Sequence, residues 1–561
     1  MDSSNMSSSS SSPSASCVDD ESLASSSTTT TTTTTTAKTT TTTIASSHKV
    51  GGMRWPACTL SSYMISSHNM DIVDYHLPPY TDSCLLGLAM IVAFLWLVRR
   101  YGPYVFTEAK SPSQRDTDKN PSDRLLTRIH GRWHDLTKFD HPGGPIALSL
   151  IHLRDGTALF ESHHPLTDRN KLRRVLSRYE VPTTTSGDGV AESSGCMLMD
   201  PRDDGLIYDW EGIDDDGFAS DLRRLLRDHL ESIARDRGIT IHRASKATPG
   251  RWAMILALMT AFFVTLPRYV RGEWTFLLIT PLLAWVTAVN YWHDGLHFSL
   301  SHDWRVNAWL PYLFPYYSSP WMWYHEHVIG HHAYPNVEHR DPDLAHAPQL
   351  MREHDSIRWR PTHVGQARWH RVLFVWSVAL GIGLSLLNDA KANVKLSYNN
   401  VVPYMSLSRP RYVAHVLGRL VYVSLMHVWP YLTFPSFWKA TLWATLPGII
   451  LSVCFMVNTQ INHLTNDCAH ASNTNFYKHQ VMTAQNFGND SWFCYYFSGG
   501  LNYQIEHHLF PTVNHCHLPT LSRGVRMICE KHGVPYHVAS GYRDAIGRHV
   551  AHTLEMEKRP A

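Results

Sequence analysis

Residues 323–336 read WYHEHVIGHHAYPN and place four histidines, His325, His327, His331 and His332, within eight positions. Three of them spell H-xxx-HH. Such a tract is a solvated surface, an accident of a core or part of a metal site, and its neighbours in the fold decide which. On a helix, residues four apart share one face, so His327 and His331 can address one point. His325 precedes His327 by two residues, roughly 200° round a helix, and is expected to point away.

Three further clusters stand in the second half of the chain. His293 and His297 are four apart in YWHDGLH, at the end of an apolar run. GGLNYQIEHHLFP carries Gln504, His507 and His508 at i, i+3 and i+4. His463 closes another apolar run in NTQINHL. Taken singly, each has a bland reading: a satisfied core pair, a solvated HH, an interfacial histidine. Together they sit at or just beyond apolar segments. Neutral imidazole is a good ligand for iron, zinc and copper. Eight histidines exceed the four ligands of one tetrahedral zinc and suit two ions with open positions. No HExxH occurs, which disfavours a zinc protease.

The chain has 561 residues, a net charge of +2 and 36 histidines. That balance does not point to nucleic acid. The nine cysteines form no CxxC, which disfavours a disulfide framework and fits a reducing compartment. Mean hydropathy is −0.23, an average that conceals strong segregation. Residues 1–83 read as a disordered, Ser/Thr-rich tail. Residues 84–98 are apolar and stop at Arg99-Arg100; they are short for a span and read as an anchor or interfacial segment. Residues 122–185 have a soluble, mixed α/β pattern. Residues 186–246 read as a linker and a polar amphipathic helix, FASDLRRLLRDHLESIARDR at 218–237. A membrane domain is expected over 250–535 and a C-terminal tail over 536–561.

The apolar segments of that domain are 252–267, 274–292, 371–388, 412–434 and 438–459. The first two form a hairpin around Arg271-Gly272-Glu273, and the last two form another around Pro435-Ser436. All histidine boxes must meet on one face of the bilayer. Three crossings between His332 and His463 would separate them, so 371–388 is assigned to the interface. Lys391, Lys395, Arg409 and Arg411 then lie on the cytosolic side, as the positive-inside tendency prefers, whereas Arg268 and Arg271 go against it. The expected fold is a small α+β domain, then an all-α membrane domain of about four spans in two hairpins, with interfacial helices and a His-rich cytosolic cap.

HDGLH (293–297), HVIGHH (327–332) and LNYQIEHHLFP (501–511), in this order, resemble the membrane fatty-acid desaturases. The glutamine opening the third box resembles their front-end subgroup. GRWHDLTKFDHPGG (131–144) and GTALFESHHP (156–165) resemble cytochrome b5, with Asp155-Gly156-Thr157-Ala158 departing from the usual Gly-x-Asp-Ala-Thr. The resemblance implies a non-heme diiron centre held by His293, His297, His327, His331, His332, His463, His507 and His508. Gln504 occupies the variable position. It also implies a heme b with His141 and His164 as axial ligands, His163 being the alternative to His164; two histidines suit an electron-transfer heme. Asp294, Asn336 and Asp341 are candidates for orienting imidazoles, beside their plainer reading as caps and turns.

The implied activity is insertion of a cis double bond into an acyl-CoA or phospholipid-bound acyl chain, of the Δ5/Δ6 type. It uses O2 and electrons from NADH-cytochrome b5 reductase, and the linker lets the heme domain reach the iron face. The implied place is the bilayer of the endoplasmic reticulum, catalytic face to the cytosol. Rival readings are a desaturase of saturated chains or sphingoid bases, a lipid hydroxylase on the same scaffold, and a membrane-anchored cytochrome b5 with a metal-handling tail.

Overall fold

The computed structural model describes residues 124–181, 207–313, 319–345, 347–380, 384–395, 397–398, 401–403 and 409–560. The Ser/Thr-rich tail, the 84–98 segment and linker residues 186–206 lie outside them.

Strands β1 (Leu126–Ile129) and β2 (Arg132–Asp135) form an antiparallel hairpin with Leu126 opposite Asp135. Three short helices follow: α1 (Pro145–Leu150), α2 (Thr157–His163) and α3 (Arg169–Leu176). This is the expected α+β pattern. Leu125, Leu136 and Leu148 make its own small core. Ile146, Leu150 and Leu159 face the other way and join the core of the membrane domain beside Trp321, Trp323 and Ile329. The small domain is therefore packed onto the histidine-bearing face rather than held at the end of a linker.

Helix α4 (Phe218–Arg237) has the bounds read from its periodicity. Phe218, Leu222, Leu226 and Leu230 recur every fourth residue, and all four are fully buried. They pack with Leu518, Leu521 and Val525 of α14 (Leu518–Lys531).

The membrane domain is built on α5 (Pro249–Val270), α6 (Trp274–Leu296) and α11 (Phe437–His463). The segments containing them, Ile241–Val270, Trp274–Leu296 and Phe437–His463, are the three described stretches long and apolar enough to cross a bilayer. At 1.5 Å per residue, α6 runs about 35 Å, against about 30 Å of hydrocarbon. Thr248 and Ser436 cap the first turns of α5 and α11 by accepting from Arg251 N and Lys439 N. Tyr269 donates its hydroxyl to Trp443 O (2.8 Å) and Trp443 Nε1 donates to Tyr269 O (3.0 Å). The turn ends of the two hairpins thus lie together, opposite the ends that carry His293 and His463.

Residues 371–388 do not form one helix. Helix α7 (Trp369–Val378) has ten residues and α8 (Leu384–Lys395) twelve. At about 15–18 Å each, neither reaches across a bilayer. The 412–434 segment forms α9 (Arg409–Val423), a π-helical turn at Ser424–Val428 and α10 (Trp429–Thr433). Its outer face exposes Leu417, Leu420, Val421 and Leu432. Its inner face buries Arg411 against the rings of Trp309 and Trp321, and joins Arg419 to Asp389 at 2.7 Å. Charge on that inner face keeps the segment out of the strongly apolar class.

Two expectations need correction. The membrane domain is not purely α, because β3 (Gln485–Phe487) and β4 (His537–Ala539) pair in parallel. Residues 536–561 are not a tail. They supply β4 and α15 (Tyr542–Glu557), which buries His549, His552 and Thr553. His549 Nδ1 donates to Leu464 O (3.0 Å), just past the end of α11. Three polar residues of this kind read as solvated in sequence. Contact with a distant loop buries them.

Candidate metal centre

Four elements deliver histidines to one buried spot. His293 is on the last turn of α6 and His297 follows its end; His463 ends α11. His507 and His508 lie on α13 (Gln504–Leu509). The second box lies on a π-helical turn, Tyr324–His331, where His332 N donates to His327 O (2.8 Å). That i→i+5 bond, common at functional sites, changes the expected phase. His327 and His332, five apart, bring their Nε2 atoms to 2.9 Å. His325 is buried with Nδ1 donating to Trp321 O (2.9 Å), and it belongs to none of the metal-competent groups.

Gly330 explains how this turn is held. A Cβ there would stand 2.6 Å from Pro342 Cδ and 2.9 Å from Val402 Cγ2. Only a bare Cα lets the Asp341-Pro342 segment approach this closely. Asp341 Oδ2 then accepts from His331 Nδ1 (3.0 Å) and from Asn336 N (2.8 Å).

All eight predicted histidines are buried and converge. His293, His297, His327 and His507 offer nitrogens within 4.8 Å of one another, as do His331, His463 and His508. His332 lies between the two groups, its ring 4.4 Å from that of His297 and 4.2 Å from that of His508.

Hydrogen bonding fixes which nitrogens are bare. His331 Nδ1 donates to Asp341, His463 Nδ1 donates to Thr483 O (2.8 Å), and His508 Nδ1 donates to Gln480 Oε1 (2.8 Å). A neutral imidazole has one N–H, so each of these rings turns a lone pair inward at Nε2. His331 Nε2 and His463 Nε2 face each other at 3.2 Å. Two apposed lone pairs repel unless a proton or cation stands between them. His508 Nε2, His507 Nε2 and both nitrogens of His297 are buried and lack a hydrogen-bond partner among the described residues. Buried polar atoms are rarely left so. The donor set, all imidazole nitrogen, fits first-row transition metals.

Burial on its own would lower the pKa of His331, but the carboxylates of Asp341 and Asp343 outweigh it and raise it to about 9, so without a metal its Nε2 carries a proton toward His463, and a bound cation would take that proton's place. Toward a metal the same carboxylates make the ring a stronger donor. Gln504 Nε2 lies 2.9 Å from His463 Nε2, while its Oε1 accepts from Asn462 Nδ2 (3.2 Å). In this orientation Gln504 offers the centre a donor, not an oxygen ligand.

Of the three expected orienting residues, Asp341 holds a ring directly. Asn336 ties loops instead, donating from Nδ2 to His463 O (3.2 Å) and Cys468 O (3.0 Å). Asp294 is buried, accepting from Arg251 Nη2 (3.3 Å) and Asn514 Nδ2 (2.8 Å). Sequence reading did not single out Asp343, Gln480, Thr483 or His515. Thr483 acts through its backbone carbonyl, which no motif marks. The clue for His515 was in plain view, in FPTVNHCHLP.

Beside the cluster lies an apolar cavity bounded by Trp285, Val289, Trp292, Phe455 and Leu501 and by His293, His327, His331 and His463. It runs between α6 and α11, an apolar slot ending at the nitrogens.

In the small domain, the rings of His141 and His164 lie 5.8 Å apart, edge to face. His164 Nδ1 donates to Phe160 O (2.8 Å), leaving Nε2 bare, as an iron ligand requires. His141 accepts the Gly143 N–H at Nδ1 (3.0 Å), so its proton sits on Nε2. His164 thus fits an axial role, and His141 fits only after giving up that bond. His163 binds Ser162 Oγ at 2.9 Å and does not face His141.

Fold and site define a buried histidine cluster able to hold metal, at the end of an apolar slot between helices long and apolar enough to cross a membrane. Residues 272–540 match the family model described as fatty acid desaturase. The chain is 27% identical over 471 residues to Delta(5) fatty acid desaturase A of Dictyostelium discoideum, covering 79% of this chain and 92% of that one. It is 28% identical over 435 residues to acyl-lipid omega-13 desaturase of Chlamydomonas reinhardtii (72% and 88%). Acyl-lipid (8-3)-desaturase of Mortierella alpina is 24% identical over 464 residues (79% and 96%). No solved structure matches. These matches support a membrane fatty-acid desaturase, an oxygen-dependent oxidoreductase of lipid metabolism.

Proposed function

We propose that the protein is a front-end acyl desaturase of the Δ5/Δ6 type, with two irons held by His293, His297, His327, His331, His332, His463, His507 and His508. The observation that carries the metal reading is the convergence of buried imidazole nitrogens in two groups, His293, His297, His327 and His507, and His331, His463 and His508, each within 4.8 Å. The relatives named as Delta(5) and (8-3) desaturases support the front-end reading.

The overall conversion is balanced as follows. A –CH2–CH2– unit, O2, two electrons and two protons give –CH=CH– and two waters. Histidine-bound iron supplies the cleavage of an unactivated C–H bond with O2, which no side-chain acid or base achieves. The chain's own residues do the rest. Trp285, Val289 and Phe455 enclose the acyl chain and keep water from it. Asp341, Thr483 O and Gln480 hold three rings in the ligating tautomer.

Residues 122–185 are proposed as a heme b electron-transfer domain receiving electrons from NADH-cytochrome b5 reductase, and 250–535 as the desaturase domain. Four crossings are proposed, 409–433 being the fourth, with the histidine face toward the cytosol of the endoplasmic reticulum.

The test is expression in yeast with varied acyl supply, followed by double-bond mapping of the products by mass spectrometry. A new double bond on the carboxyl side of an existing one, absent in His507→Ala, is expected. No new product under any supply, with His507→Ala indistinguishable, would overturn the desaturase reading. A hydroxylated product would favour the hydroxylase, and a bond in a saturated or sphingoid chain would correct the substrate class.

A further inference from the structure

His515 stands eight residues after His507, beyond the third box, yet it contacts the centre from behind. Its Nε2 lies 3.0 Å from His507 Nδ1. Its Nδ1 lies 2.7 Å from Gly499 O and 3.1 Å from Asp294 Oδ1. His515, His507 and Asp294 are all fully buried.

The protons follow from the partners. A carbonyl and a carboxylate only accept, so His515 Nδ1 carries hydrogen. A neutral His515 then has a bare Nε2, which accepts from His507 Nδ1–H. His507 is left bare at Nε2, the nitrogen that points among His293, His297 and His327. Had His515 been protonated at both nitrogens, His507 would have its hydrogen on the inward nitrogen and could not ligate. Charge balance supports the neutral form. The Asp294 carboxylate is matched by Arg251 at 3.3 Å and takes a further bond from Asn514, so it does not demand a second cation from His515.

We infer that His515 is a positioning residue of the metal centre: with Gly499 O and Asp294 behind it, it fixes the tautomer and tilt of His507. The inference rests on the diiron reading. Asp294, His515 and His293 also form a metal-competent group by distance. Both nitrogens of His515 are already committed, however, which favours the relay over a third ion.

The experiment uses the full-length chain purified in detergent, with iron per chain, iron retention against a chelator, and the Mössbauer spectrum as readouts. His515→Gln places an acceptor oxygen near the Nε2 position; His515→Leu does not. His515→Leu should lose metal affinity about 10–100-fold, as loss of an outer partner does. It should also alter one of the two iron signals. His515→Gln should retain two irons and a near-native spectrum. A merely packing role predicts that Gln and Leu are equally harmful to thermal stability with iron unchanged, and that result overturns the relay. Iron retention and spectra unaltered in both variants overturn it as well. Fewer than two irons in the unaltered protein would instead overturn the diiron reading.

Discussion

At the residue scale, function depends on which nitrogen of each imidazole carries the proton. His331→Ala removes a ring whose Nε2 faces that of His463, and it should abolish product formation and lower bound iron. His325→Asn is the contrast. The asparagine Nδ2 can replace Nδ1 as donor to Trp321 O. Bound iron should persist, with a stability cost of about 1–3 kcal/mol for imperfect replacement in a buried site. Loss of iron in that variant would show that the second box extends to His325. Asp341→Asn keeps shape and removes charge behind His331. Iron affinity should fall about 10–100-fold by chelator competition, and an unchanged value would show that the carboxylate contributes nothing.

At the element scale, the second box needs its π-helical turn, and the turn needs Gly330. Gly330→Ala forces Pro342 or Val402 to retreat from contacts that would fall at 2.6 and 2.9 Å. Overpacking of this kind costs about 1–3 kcal/mol. Because Asp341 precedes Pro342, iron retention should fall along with thermal stability. Stability lost with iron retained would separate the two. Helix α4 provides a test remote from the metal. Leu226 is fully buried among residues of α4 and α14, so Leu226→Ala should cost about 2–5 kcal/mol in thermal unfolding. Its product profile should keep the same double-bond position.

At the scale of the whole molecule, the bilayer imposes parity. Tyr269 and Trp443 join the two hairpin turns at one end, and His293 and His463 stand at the other. Single cysteines at Arg271 and Pro435 should therefore label from one side of sealed microsomes, and cysteines at His339 and His470 from the other. A cysteine at the exposed Lys395 that labels from the same side as Pro435 would remove 409–433 from the spanning set. Packing of the small domain is the second property of this scale. Ile146, Leu150 and Leu159 share the core of the histidine-bearing face, so its position does not depend on a swinging tether.

The chemistry was legible in sequence because it lies in short motifs. The eight histidines, the amphipathic helix at 218–237 and the apolar character of α5, α6 and α11 all follow from local spacing and composition; in the structure the histidines are buried together, although the second box has a different phase. Asp341 was also legible, ten residues from the ring it holds. What the sequence could not state is anything that depends on contact between distant segments. The π-helical phase of the second box depends on Pro342 and Val402 pressing on Gly330. The burial of His549 and His552 depends on the loop after α11. The polar inner face of 409–433 depends on Asp389. The role of His515 depends on Gly499 and Asp294, which meet it only in the folded chain. Residue type and spacing determined that this protein gathers histidines at the ends of helices apolar enough to cross a membrane; tertiary packing decided which nitrogens are bare, because a tautomer is set by whatever acceptor the fold brings to the far side of each ring.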